Sequence, residues 1–211
     1  LQSSWQDHSG FASARQARRA HAERERLARL RGRRIAVKAT DLLTQQHRKA
    51  KAIFKKLENG RGDTEALLLE LANDLAAHMA IEHELFYPAV AEIDAFLINE
   101  SFEEHALGEI AIKRLLSADP GDEAFKAKVT AARELIVHHA DEEEEELFPK
   151  VEKRIDADQL KALGKQMKER FEQAVEEGHE QVWPRGYAKT LADSASQKWS
   201  RVLARTRARA A

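Results

Sequence analysis

From Thr40 to Gly178 the apolar residues recur every three or four positions, the spacing of one face of an α-helix. Leu43, Ala50, Phe54 and Leu57 form the first line, with Thr40 or Asp41 placed to cap it and Asn59-Gly60 and Gly62 to end it. A second line begins near Asp63 and runs through Leu68, Leu71, Leu75 and Phe86. A break over Asp94 to Asn99 leads to a third, with Phe102, Ile112 and Leu116. The turn Ser117–Asp122 (SADPGD) separates it from a fourth, with Ala132, Leu135, Ile136 and Leu147. A fifth, from about Asp158 to Gly178, is amphipathic through Leu160, Leu163, Met167 and Phe171. Helices this long joined by short connections predict an all-α chain built on an up-down-up-down four-helix bundle, with additional helices at both ends.

Six polar residues interrupt the first four apolar lines: His47, His78 with Glu82, His105, and His139 with Glu143. They are arranged as a repeat. HMAIEHELFYP (78–88) aligns without gaps on HADEEEEELFP (139–149), matching a His, a Glu four later and a Pro ten later. Upstream, His47 precedes His78 by 31 residues and His105 precedes His139 by 34. Each half is therefore a helical hairpin with a lone His on its first helix and His-x-x-x-Glu on its second. Packed together, the hairpins bring all six side chains to one level of the bundle.

Helical stepping also picks the inward residues of HHADEEEEELFP. From His139, steps of three and four reach Leu135, Ile136, Glu143 and Leu147; from His138 they reach Glu134, Glu142 and Glu146. His139 and Glu143 thus face the core, and His138 and Glu142 face the charged side.

A single His on an apolar face is usually a hydrogen-bonded core residue, and a lone His-x-x-x-Glu a surface pair worth about 0.2–0.5 kcal/mol. The full set is harder to satisfy that way, because an unpaired buried carboxylate costs several kcal/mol. A pair of divalent cations removes the problem, turning carboxylates into ligands and keeping imidazoles neutral. There is no cysteine, so zinc–thiolate sites, disulfides and thiol catalysis are excluded. Imidazole and carboxylate without sulfur suit iron or manganese.

Charge divides the chain differently. Residues 1–38 carry ten Lys/Arg against three acids (+7), and 184–211 carry seven against one (+6); the overall balance is -1, leaving -14 between them. The organisation read from this is a basic N-terminal extension (1–38, helical over Ser13 to Val37), a bundle (39–155), an accessory helix (156–180) and a basic C-terminal tail (181–211). The arms favour self-association or an anionic partner, weakening above roughly 0.3 M salt. No nucleic-acid motif accompanies them. No apolar run approaches the roughly 20 residues of a transmembrane helix. The chain starts at Leu1 rather than Met, which leaves room for a removed leader; a cytoplasmic location is the expectation.

DLLTQQHRKAKAIF, HMAIEHELFYP, EEHALGEIAI and HHADEEEEELFP together resemble the hemerythrin-like, or HHE cation-binding, family over Thr40 to Arg154. The resemblance implies a bundle of hemerythrin type holding a bridged non-haem diiron centre, two Fe per chain. The implied ligands are His47, His78, Glu82, His105, His139 and Glu143, with Glu82 and Glu143 bridging. Oxygen-carrying hemerythrins have His-x-x-x-His on the third helix, whereas this chain has Ser101 one turn before His105. Glu109, one turn after, is a candidate seventh ligand or an acid paired with a neighbouring helix. The expected activity is binding of, or reaction with, a small oxidant (O2 or peroxide), as a diiron oxidoreductase if it turns over. Alternatives are an iron- or oxygen-responsive regulator and an iron buffer. His83, His138 and Glu104 are candidates to orient ligand imidazoles. Tyr87-Pro88 and Phe148-Pro149 are expected to end or kink their helices, the aromatic sealing the site. His8, His21 and His179 lie outside the repeat.

Overall fold

The computed structural model describes residues 37–183; residues 1–36 and 184–211 of the basic arms, including all but the last residue of the helix expected over Ser13 to Val37, lie outside the described residues. Helix α1 spans Ala39–Glu58, α2 Thr64–Ile81, α3 Tyr87–Val90, α4 Ala95–Leu116, α5 Phe125–Glu142, α6 Phe148–Arg154, α7 Ala157–Glu177 and α8 His179–Val182. There is no strand among the described residues. Among them, too, no helix is long and apolar enough to cross a membrane.

Three helices are capped by the side chains that local chemistry favours. Asp63, Asp94 and Asp156 each accept backbone N–H groups at the starts of α2, α4 and α7. The start of α1 differs from expectation: Lys38 holds the cap position without a side-chain bond. Thr40 lies inside the helix, its hydroxyl donating to Glu152 at 2.6 Å instead of to the local backbone. The break before α4 is also shorter than expected, because Asp94 caps the helix directly.

α1, α2, α4 and α5 pack in a ring, each against its two neighbours, and α7 lies across α1 and α2. This is the predicted four-helix bundle with a further helix on one groove. A Cβ at Gly164 would collide with the carbonyl oxygen of Val37, so α7 meets the entry to α1 backbone to backbone.

Two π-helical turns, Glu82–Phe86 and Glu143–Leu147, join α2 to α3 and α5 to α6. In each, the residue before proline donates five residues back: Tyr87 N–H to the Glu82 carbonyl, Phe148 N–H to that of Glu143. Proline lacks an N–H and crowds the carbonyl four residues earlier. Widening the preceding turn relieves that crowding while keeping the helix continuous. The prolines therefore neither end the helices nor break their course.

The core is divided. One apolar cluster contains Phe54, Leu71, Leu75, Ile112, Val129 and Ile136. The other contains Leu43, Ile81, Phe86, Ile98, Leu147 and Met167. Between them lies a layer of buried polar side chains: His47, His78, Glu82, His105, His139 and Glu143 are each 5 % exposed or less. A protein of this size does not place polar groups across its core without something to satisfy them.

Candidate metal centre

All six expected side chains meet in this layer. His78 Nε2 and His105 Nε2 stand 3.1 and 3.4 Å from Glu82 Oε2. His47 Nε2 and His139 Nε2 stand 3.4 and 3.8 Å from Glu143 Oε2, and the Nε2 atoms of His105 and His139 are 2.8 Å apart. Two groups of donor atoms each fit within 4.8 Å: His78, Glu82, His105 and His139, and His47, His78, Glu82 and Glu143.

Each imidazole is anchored from behind. His47 Nδ1 bonds Glu144 at 3.0 Å, and His78 Nδ1 bonds Gln46 at 2.9 Å. His105 Nδ1 bonds His83 Nε2 at 2.8 Å, and His139 Nδ1 bonds Glu104 at 2.8 Å. Carboxylate and amide oxygens only accept, so Nδ1 of His47, His78 and His139 carries a proton, and Nε2 is the nitrogen turned inward, able to coordinate when the ring is neutral.

The anchors obey the repeat. The residue just before each lone His (Gln46, Glu104) holds the imidazole of the His-x-x-x-Glu in its own hairpin. The residue just after each buried Glu (His83, Glu144) holds the lone His of the other hairpin. His83 and Glu104 are thus placed as the sequence expects. Gln46 and Glu144 were missed, although alignment of the two halves pairs them with Glu104 and His83. His138 is 72 % exposed and only 3.8 Å from Glu104, so it anchors nothing in the layer.

Inward, the opposite holds. Both oxygens of Glu82, Glu143 Oε2 and His47 Nε2 are buried without a hydrogen-bond partner. Protein groups alone also leave the charges in conflict. Burial, then the neighbouring Glu143, pushes the Glu82 carboxyl well above its usual range. Burial acts on Glu143 in the same sense, but positive charge at His139 and His47, with the His47 hydrogen bond, outweighs it and holds that carboxyl low. The carboxylates therefore cannot both ionise comfortably by themselves. Burial also lowers His78 and His105 well below the ordinary imidazole value, which keeps them neutral and able to coordinate. Inward lone pairs, outward anchors and unsatisfied carboxylates are the donor set a cation pair requires.

Two residues differ from expectation. Glu109 is not among the converging groups: its carboxylate is held by Lys113 on the same helix. The inward position one turn after His105 belongs to Gly108, where a Cβ would press on Ile136 and Met79. Tyr87 does more than seal the site. Its hydroxyl donates to Glu143 Oε1 at 2.9 Å and lies 3.4 Å from His105 Nε2. Its counterpart in the repeat is Phe148, which stacks on His47 with ring centroids 6.0 Å apart. At this repeat position the hairpins thus differ by one hydroxyl. Ser101, one turn before His105, turns its own hydroxyl to the Leu97 carbonyl at 2.9 Å.

Fold and site together define a helical-bundle protein with a buried His/Glu cluster able to hold metal ions. The profile of the hemerythrin HHE cation binding domain matches residues 38–151, and the chain belongs to that family. Among solved structures, a hemerythrin HHE cation binding domain-containing protein from Mycobacterium kansasii is similar, at 26 % identity with a TM-score of 0.61. That similarity covers 72 % of this chain and 96 % of the mycobacterial one. No match is found among curated proteins.

Proposed function

We propose that this chain is a non-haem diiron protein that binds or reacts with a small oxidant, O2 or peroxide. The observation that carries this reading is the inward-facing set of unsatisfied donors, backed by an anchor on every imidazole. His47, His78, His105 and His139 would hold the ions with Glu82 and Glu143, whose positions between the histidines suit bridging. A bound iron pair supplies redox electrons and open positions for a small molecule.

The chain's own residues supply order and protons. Glu144, Gln46, His83 and Glu104 fix the imidazole planes, so that little rearrangement accompanies binding. The Tyr87 hydroxyl keeps its proton, because burial and then Glu143 and Glu82 raise its pKa well above the usual phenol value. It thus stands as a neutral hydrogen-bond donor at the edge of the cluster.

Protein made in iron-replete medium is expected to contain about two metals per chain, mainly iron, with near-ultraviolet absorption from an oxygen-bridged pair. Metal analysis with an optical spectrum checks this. Folded protein that stays metal-free after reconstitution sinks the reading.

Tyr87→Phe separates a donor from a ligand. It is expected to keep both metals, lose about 1 kcal/mol of stability, and alter the spectrum and the rate of reaction with peroxide. Metal loss comparable to that of a histidine variant would instead make Tyr87 a ligand.

A further inference from the structure

The polar layer is not closed equally on all sides. A cavity of about 30 Å³ runs from His47, His78, His105 and His139 toward the surface between α1, α2 and α7. Glu82, Glu143 and Tyr87 are not among the residues that line it. The carboxylates and the phenol therefore belong to the opposite side, and the imidazoles face the opening.

The walls of this cavity are almost wholly apolar. Ala50, Leu75, Met79, Ile136 and Ala140 supply the apolar surface, Gln46 and Lys51 also line the cavity, and Phe171 of α7 lies over it. The volume admits one or two molecules of water's size. Apolar cavity walls offer water no hydrogen bonds, and apolar cavities take up apolar guests such as xenon. A peroxide or an anion would give up hydrogen bonds to water on entering, whereas dioxygen has almost none to give up.

At the outer end stands an ion pair. Lys49 Nζ lies 2.6 Å from Asp74 Oδ2 and 2.8 Å from Glu70 Oε1, joining α1 to α2. The Lys49 side chain is half exposed. Such a pair is held weakly and its lysine can swing into solvent.

We infer that this cavity is the entry path for a small, uncharged, weakly polar oxidant of dioxygen's kind, gated by Phe171 and the Lys49–Asp74 pair. The gate gives α7 a function beyond packing: its aromatic ring covers a groove of the bundle that leads to the imidazoles. The identity of the molecule's target rests on the diiron reading, but the path itself does not.

The test has two arms. Methyl NMR spectra of the protein as isolated, recorded under xenon pressure, read the path without reference to metal. Resonances of Ala50, Leu75, Met79 and Ile136 are expected to shift saturably, and Ala50→Leu, which fills the cavity, to abolish the shifts at the remaining three. In the second arm, nitric oxide is mixed by stopped flow with the reduced, iron-loaded protein. Ala50→Leu is expected to slow the optical change by about tenfold or more, since a close-packed wall leaves no bypass. Phe171→Ala is expected to speed it severalfold, and serves where Ala50→Leu fails to fold. Methyls indifferent to xenon, or nitric oxide rates that neither variant moves, would overturn the path. A protein that gives no nitric oxide signal for want of iron refutes the diiron reading alone. Xenon entry then upholds the path, and its absence overturns it.

Discussion

Glu143→Ala is expected to empty the centre, with His139→Ala close behind. Glu143 lies between His47 and His139, at 3.4 and 3.8 Å from their Nε2 atoms, so its removal takes a charge and a donor from both hairpins. A buried cation cannot be left under-coordinated without large cost. Both variants should lose most of their iron and the near-ultraviolet band. Their neighbours set the contrast. His138→Ala and Glu142→Ala should keep both metals, since His138 is exposed and Glu142 lies outside the donor groups. Glu144→Ala should fall between, because it removes only the anchor of His47, weakening metal binding by about 10–100-fold. Metal titrations on the five variants check the order. Retention of iron by His139→Ala, with its loss from His138→Ala, would contradict the face assignment.

Removing the metal should lower the melting temperature by about 10 °C or more. A ligand at a thousand times its dissociation constant stabilises by about 4 kcal/mol, and in a chain of this size 1 kcal/mol moves the midpoint by about 2–4 °C. The physical source is the layer between the two apolar clusters. Without a cation, both oxygens of Glu82 and Oε2 of Glu143 are buried without a hydrogen-bond partner. Helix content should survive in part, since an apolar cluster flanks the layer on either side. Calorimetry of chelated and reconstituted protein measures the difference. An unchanged transition after verified metal removal would show that the six side chains satisfy one another.

Much of this arrangement is legible in the sequence because helical spacing and the repeat reinforce each other. His-x-x-x-Glu twice, each preceded by a lone His at similar distance, brings the six residues to one level. The same repeat could have revealed Gln46 and Glu144, whose counterparts Glu104 and His83 were recognisable as anchors. What escaped depends on tertiary contact or on departures from a regular helix. Glu109 and Gly108 both lie one turn from His105; the choice between them is made by Ile136 and Met79, which press where a side chain at 108 would be. The π-turns each add a residue to a helical turn, so uniform steps of 100° lose register beyond Glu82 and Glu143. Tyr87 reads as an aromatic seal for that reason, whereas its hydroxyl reaches Glu143. Thr40 has the chemistry of a cap, but Glu152, distant in sequence, claims its hydroxyl.

Anomalous diffraction at the iron edge, from crystals of iron-reconstituted protein, tests the central claim most directly. Two peaks per chain are expected within the polar layer, each bounded by Nε2 atoms of His47, His78, His105 or His139 and both adjacent to Glu82 or Glu143. A reconstituted, folded protein with no peak in that layer, or with iron bound only elsewhere, would contradict it.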